Sequence, residues 1–128
     1  MARKSGNIHT QYESAEQRKI FDWAEETTVV FPELALLHHI PNGGKRNAAE
    51  AANLKRQGVK PGVPDISLPV PRGKYHGLYI ELKVKGNKTS DKQDWWLREL
   101  SKQGHLAVVC YGASEAVKVI KAYLQQKK

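Results

Sequence analysis

Disulfide chemistry is closed to this chain, because its single cysteine, Cys110, has no internal partner and sits inside the apolar run 106–111. That thiol reads as a buried, inert side chain of a reducing compartment and as a poor nucleophile. No apolar run approaches the ~20 residues needed to cross a bilayer, so a membrane span is excluded. Met1-Ala-Arg-Lys-Ser-Gly leads into no apolar stretch, so no secretory signal is expected; the expected location is cytoplasmic, in a bacterial or phage-infected cell. His9, His76 and His105 lack ligand spacing, and the neighbours His38 and His39 face opposite ways on a predicted strand, which argues against a zinc site. No serine, histidine and carboxylate set stands out, and there is no internal repeat or low-complexity block. Acidic residues are scarce beside basic ones, 13 against 21, for a formal net charge of +8. The surplus is dispersed (Lys45 and Arg46, Lys55 and Arg56, Lys83 through Lys92), as a folded surface for a polyanion would require. At 128 residues the chain is expected to form one domain, with 1–12 and 125–128 as flexible ends.

Caps and periodicity predict the elements. Ser14-x-x-Gln17 has the form of a capping box and predicts the start of a helix with the stripe Ile20, Trp23, Ala24 and Thr27. Glu16, four residues before Ile20, projects from that inward stripe, an odd place for a carboxylate without a partner. A strand is expected over 34–40, followed by the turn Asn42-Gly43-Gly44, and then a helix over 47–57 stopped by Gly58. Residues 65–70 and 78–84 alternate at the period of strands, and the segment 71–77 joins them as a hairpin. A helix over 90–103 ended by Gly104, a strand over 106–111 and a helix over 114–124 complete the order. Strands interleaved with amphipathic helices predict an α/β fold, a mixed sheet covered on both faces.

The chemistry concentrates in the hairpin. With Leu78, Ile80, Leu82 and Val84 on one face, Glu81 and Lys83 point together from the other, and Asp65 opens the preceding strand near the same end. Two carboxylates that close repel each other, and a hard cation such as Mg2+ or Mn2+ relieves the repulsion. Such an ion activates water and neutralises charge on a phosphate, with Lys83 beside it to orient the nucleophile or stabilise the transition state. The competing reading is an ordinary solvated strand face. Gln93, on the inward side of the 90–103 helix with Trp96, Leu97 and Leu100, has two readings: a site residue, or the partner of Ser90 in a capping box. Trp96 suits the core, while its neighbour Trp95 is either a platform for a base or a half-covered surface residue. Asn42-Gly43-Gly44-Lys45-Arg46 lacks the spacing of a nucleotide-binding loop and reads instead as a basic turn on DNA backbone; Lys85 and Lys88 are further DNA-contact candidates.

From about Glu16 to Ile120 the chain resembles the VRR-NUC nucleases, a branch of the PD-(D/E)XK superfamily. The resemblance rests on the helix with Glu16, the segment 42–46, Gly62-Val63-Pro64-Asp65, Ile80-Glu81-Leu82-Lys83, and Ser90-x-x-Gln93-x-x-Trp96 with Leu100 and Gly104 beyond. It implies a restriction-endonuclease-like fold, with a central sheet of about four strands flanked by helices. It implies that Asp65, Glu81 and the Leu82 carbonyl bind the metal, that Lys83 is catalytic, and that Gln93 completes the site. Glu16 would join through the first helix, with Glu13 as the alternative. Where the family's name-giving Val-Arg-Arg triplet is expected, the chain reads Val109-Cys110-Tyr111; this departure bears on phosphate contacts and leaves the metal set intact.

The expected activity is therefore a Mg2+ or Mn2+ dependent DNA endonuclease that reads backbone and shape over sequence. Small stand-alone relatives resemble Holliday-junction resolvases, which implies a homodimer on branched DNA. The alternatives are a flap or single-strand nuclease of repair or replication, and a non-catalytic DNA-binding module on the same fold.

Overall fold

The computed structural model describes residues 5–41 and 47–128, with side chains from Tyr12 onward. The period-two segment 78–84 becomes β3 (Leu78–Lys83), flanked by β2 (Ile66–Leu68), antiparallel to it, and by β4 (Leu106–Tyr111), parallel to it. A short β1 (His38–His39) pairs antiparallel with β2, giving a mixed sheet of order β1-β2-β3-β4. The register Ile66↔Ile80 and Ile80↔Val108 puts the even-numbered residues of β2, β3 and β4 on one face. There Leu68, Ile80 and Leu82 are fully buried under α1 (Ser5–Thr27) and α4 (Ala113–Leu124), through Ile20, Ala24, Ala116 and Ile120. Glu81 and Lys83 lie on the opposite face, toward α3 (Asp91–Lys102), which packs on β4. Both faces of β3 are thus covered, which explains why its polar residues are as buried as its apolar ones.

Helix ends follow their caps. The Asn47 side chain accepts from Glu50 N–H at the start of α2 (Ala48–Arg56), a helix with no buried residue. Ser90 and Gln93 form a reciprocal capping box on α3. Among the described residues no helix is long and apolar enough to cross a membrane.

Two expectations are corrected. Helix α1 begins at Ser5, not at Ser14, whose side chain is exposed in mid-helix. A continuing helix already satisfies the N–H groups that a cap would serve, and the Glu13–Asn87 hydrogen bond holds the turn before Ser14 against the chain after β3. The strand expected over 34–40 is a 3-10 turn, Pro32–Leu36, followed by the two-residue β1. Pro32 presets the turn, and Leu34 and Leu37 are buried three residues apart, the period of that tighter helix.

Arg72, only 4% exposed, ties three elements together. Its guanidinium pairs with Glu33 within the 3-10 turn, donates to the Pro71 carbonyl at 2.8 Å and reaches the Leu124 carbonyl at the end of α4. Removing one partner of a buried pair strands the other charge. Glu33→Ala should therefore lower the unfolding free energy by about 3 kcal/mol, and Arg72→Met by less, because the Glu33 carboxylate it leaves unpaired is partly exposed and keeps some of its hydration, whereas Arg72 is buried. Urea unfolding midpoints check this, and an unshifted Glu33→Ala midpoint would remove the pair from the stability argument.

Candidate active site

Where β2 gives out, the sheet opens onto four polar side chains. Asp65 immediately precedes β2, and its Oδ2 accepts the Leu82 N–H at 2.8 Å. The N–H and carbonyl of a strand residue point the same way, so the Leu82 carbonyl is directed toward the edge that Asp65 occupies. Asp65 is itself held by its carbonyl, which accepts the Ile40 N–H at 2.7 Å and lies 2.8 Å from His39 Nδ1.

Glu81 is 2% exposed. Its Oε2 accepts from Gln93 Nε2 at 3.2 Å and lies 3.6 Å from Lys83 Nζ, while its Oε1 is buried with no hydrogen-bond partner. Burial first, then the adjacent Asp65 carboxylate, push the Glu81 carboxyl up from 4.5 to about 9; Lys83 opposes the shift and the charge of Glu13 adds to it. Gln93 fills both of its expected roles at once. Its Oε1 accepts the Ser90 N–H at 2.9 Å in the capping box, which turns Nε2 toward Glu81. Lys83 is 6% exposed, and its carbonyl accepts the Gly112 N–H at 2.9 Å, pinning the end of β3 to the start of α4.

Glu16 does not join this group. Its Oε1 accepts the Ala113 N–H at 3.0 Å and its Oε2 pairs with Lys19 at 2.6 Å, and these two contacts, Lys19 first, hold its carboxyl below the usual range. It caps α4, whose N-cap, Gly112, has no side chain to do so. The carboxylate of α1 whose charge acts on Glu81 is Glu13, oriented by Asn87 Nδ2 at 2.6 Å. Glu13 precedes Ile20 by seven residues, two full turns, and so shares its face. That spacing was the available signal; Asn87 gave none.

Lys85 and Lys88 are exposed on the chain after β3, and Lys85 borders an open groove of about 510 Å³ with Tyr12, Lys19 and Tyr111. Lys45 and Arg46 lie outside the described residues. Cys110 is fully buried, and desolvation, followed by the charge of Glu115, pushes its thiol up to about 12, which leaves it unreactive.

The donor set is one of hard oxygens: two carboxylates, one with an unused buried lone pair, and a backbone carbonyl. Among the described residues no group of three or more His, Cys, Asp or Glu could hold a metal ion. An ion here would be of the kind that needs only one or two carboxylates and keeps several waters, the habit of Mg2+.

A family model, the VRR-NUC domain, matches residues 4–114. The chain is also similar to a solved structure described as a VRR_NUC domain protein, with 34% identity and a TM-score of 0.78 over 91% of this chain and 91% of that one. No curated protein matches it.

The Glu81 shift fixes the sign of a pH dependence. Between 4.5 and about 9 the folded chain holds a proton that the unfolded chain has released, so stability falls as pH rises through that window. In chelator, melting temperatures taken from pH 5 to pH 9 should decline, with a shallower decline for Glu81→Gln. Equal slopes for the two chains would show that Glu81 ionises normally.

Proposed function

The chain belongs to the VRR-NUC family of the PD-(D/E)XK superfamily, and from that premise we propose that it is a Mg2+ or Mn2+ dependent endonuclease hydrolysing DNA phosphodiesters at Asp65, Glu81 and Lys83. The family makes it a nuclease and, with that, a DNA-binding protein. The metal reading is carried by one observation, the buried and partnerless Oε1 of Glu81 beside a second carboxylate.

Asp65, Glu81 and the Leu82 carbonyl would hold the ion. When bound, it supplies a water nucleophile at neutral pH and neutralises charge developing on the phosphate. The chain's own residues do the rest. Lys83, kept close by Glu81, presents an ammonium to the non-bridging oxygens as negative charge accumulates there. Gln93 fixes the Glu81 carboxylate so that its other oxygen stays turned to the site. Water attacks phosphorus, the bond to the leaving oxygen breaks, and no covalent enzyme intermediate forms. Glu13, oriented by Asn87, is the α1 carboxylate we assign to the edge of this site, while Glu16 serves the α4 cap.

Recognition rests on backbone and shape, a reading supported by the dispersed basic surplus, which suits contacts to phosphates. The preferred substrate is a branched one, a four-way junction cut by a homodimer, because two symmetric incisions call for two active sites related by a two-fold axis.

Cleavage of matched four-way, flap, single-stranded and linear DNA in Mg2+, in Mn2+ and with chelator tests the reading. Chelator should abolish cutting. Asp65→Ala and Lys83→Ala should each slow it by about 100-fold or more; wild-type rates in either variant would sink the assignment. Glu13→Gln should slow cutting at unchanged stability. Glu16→Ala should instead cost about 1 kcal/mol of stability through the lost cap and leave the rate near wild type; the reverse pattern would return Glu16 to the site. Binding in chelator should weaken steeply with salt as counterions are released, whatever the DNA sequence.

A further inference from the structure

Where α3 meets the segment before Asp65 lies an open groove of about 390 Å³ lined by Lys60, Pro61, Lys92, Trp95 and Trp96. Its walls belong to the two segments that build the site. Pro61 precedes Asp65 by four residues, and Lys92 and the tryptophans bracket Gln93. The contour from Pro61 to Asp65 is at most about 14 Å, a span of about four nucleotide steps along one strand.

The groove is built and held open. Gly62 takes φ +91°, and a Cβ there would lie 2.8 Å from the Lys92 backbone, so only glycine lets the loop close against α3. Trp96 does not enter the core as its helical position suggested. Its Nε1–H donates to the Pro61 carbonyl at 3.1 Å, and its ring meets Trp95 edge-on, with centroids 5.5 Å apart at 89°. Trp95 is thereby braced with half of its surface in solvent, 50% exposed. Lys60 and Lys92, both exposed, flank the rings. Among the described residues no protein group closes over this aromatic surface.

An exposed aromatic ring in a groove that two lysines also line matches one fragment of a DNA strand: an unpaired base with its adjoining phosphates. Paired bases bury their faces in the duplex stack and cannot reach such a surface. A single-stranded or branch-point nucleotide can, and stacking on an aromatic ring is tolerant of sequence. We propose that this groove receives one unpaired nucleobase within about four nucleotide steps of the scissile phosphodiester, stacked on Trp95, with Lys60 and Lys92 on its flanking phosphates. The proposal rests on the nuclease reading for its position relative to the cut, and it adds an unpaired nucleotide, where a branch point offers one, to the backbone and shape that the protein reads.

The test uses the full chain and three duplexes: one with a single unpaired 2-aminopurine, one with an abasic residue in its place, and one fully paired. Binding is measured in chelator, by anisotropy and by 2-aminopurine fluorescence, so that it is independent of cleavage. Wild type should bind the 2-aminopurine duplex about 10-fold more tightly than the abasic one and quench its fluorescence. Trp95→Ala should lose both the preference and the quench, and Trp95→Phe should keep most of the preference. Lys60→Ala with Lys92→Ala should weaken all three duplexes and reduce the salt slope by roughly two. Equal affinity of wild type for base and abasic duplexes, or an undiminished quench in Trp95→Ala, overturns the proposal. Should Trp95→Ala fold poorly, the wild-type comparison of base with abasic duplex decides alone. Cleavage of the same duplexes in Mn2+ separates the two readings: cutting without base preference rejects the groove and leaves the nuclease, whereas base preference without cutting does the opposite.

Discussion

Glu81 places a carboxylate on the central strand of a sheet covered on both faces, where an ionised group loses most of its hydration. One lysine stands 3.6 Å away, but a second carboxylate, Asp65, is also in range, so the protein supplies one positive charge for two negative ones. The deficit is local and cannot be relaxed by rotation, because Asp65 is tied to the Leu82 N–H and the Oε2 of Glu81 to Gln93. Without a cation the cheapest remedy is a proton on Glu81, and the direction of its shift reflects this. The arrangement gives up stability to keep a binding capacity, and the core beneath it must make up the difference.

The fold supports that constraint through where its elements stop. β2 begins only at Ile66, leaving the backbone of Leu82 to Asp65 in place of another strand. The start of α3 is fixed by a capping box that uses the side-chain oxygen of its glutamine and leaves the amide nitrogen to donate to Glu81. Helix α1 works at two levels a turn apart, with Glu13 turned toward Asn87 and the site, and Glu16 bonded to the first N–H of α4. Since Gly112 is bonded in turn to the Lys83 carbonyl, the α4 cap and the catalytic strand share a junction. Displacing α1 would therefore disturb both the charge balance of the site and the strand that carries it.

The alternation in 78–84 and the apolar run 106–111 carried the sheet, and Asn47, Ser90 and Gly104 carried helix ends, because each is a local pattern with a local cause. The grouping of Asp65, Glu81, Lys83 and Gln93 was legible for the same reason: hairpin geometry and strand parity nearly determine it. What could not be read depended on distant backbone. Glu16 pointed inward as expected, yet its partner is an N–H 97 residues away, and no side-chain pattern announces a backbone donor. The turn of α1 before Ser14 is held by a contact across 74 residues, between Glu13 and Asn87. Trp96 was misplaced because its helical position is right for the core, but its indole N–H finds the Pro61 carbonyl instead.

A phosphodiester approaching Asp65 and Glu81 meets like charge, so the acidic pair alone would repel the substrate it is meant to cut. The formal net charge of +8 resolves the conflict at longer range, and the lysines nearest the site resolve it at shorter range. Lys83 is buried within it, Lys85 and Lys88 are exposed on the chain that follows, and Lys60 and Lys92 lie along the outer groove. Field lines from such a surround converge on the depression it encloses and draw a polyanion in before the carboxylates are felt. At contact distance the balance must become local, and on the proposed reading Asp65 and Glu81 would hold a cation that supplies it. On the proposed reading the basic surface and the acidic pocket are two halves of one electrostatic design: the surface would bring the strand in, and the unmet charge at Glu81 would take the ion that lets it stay.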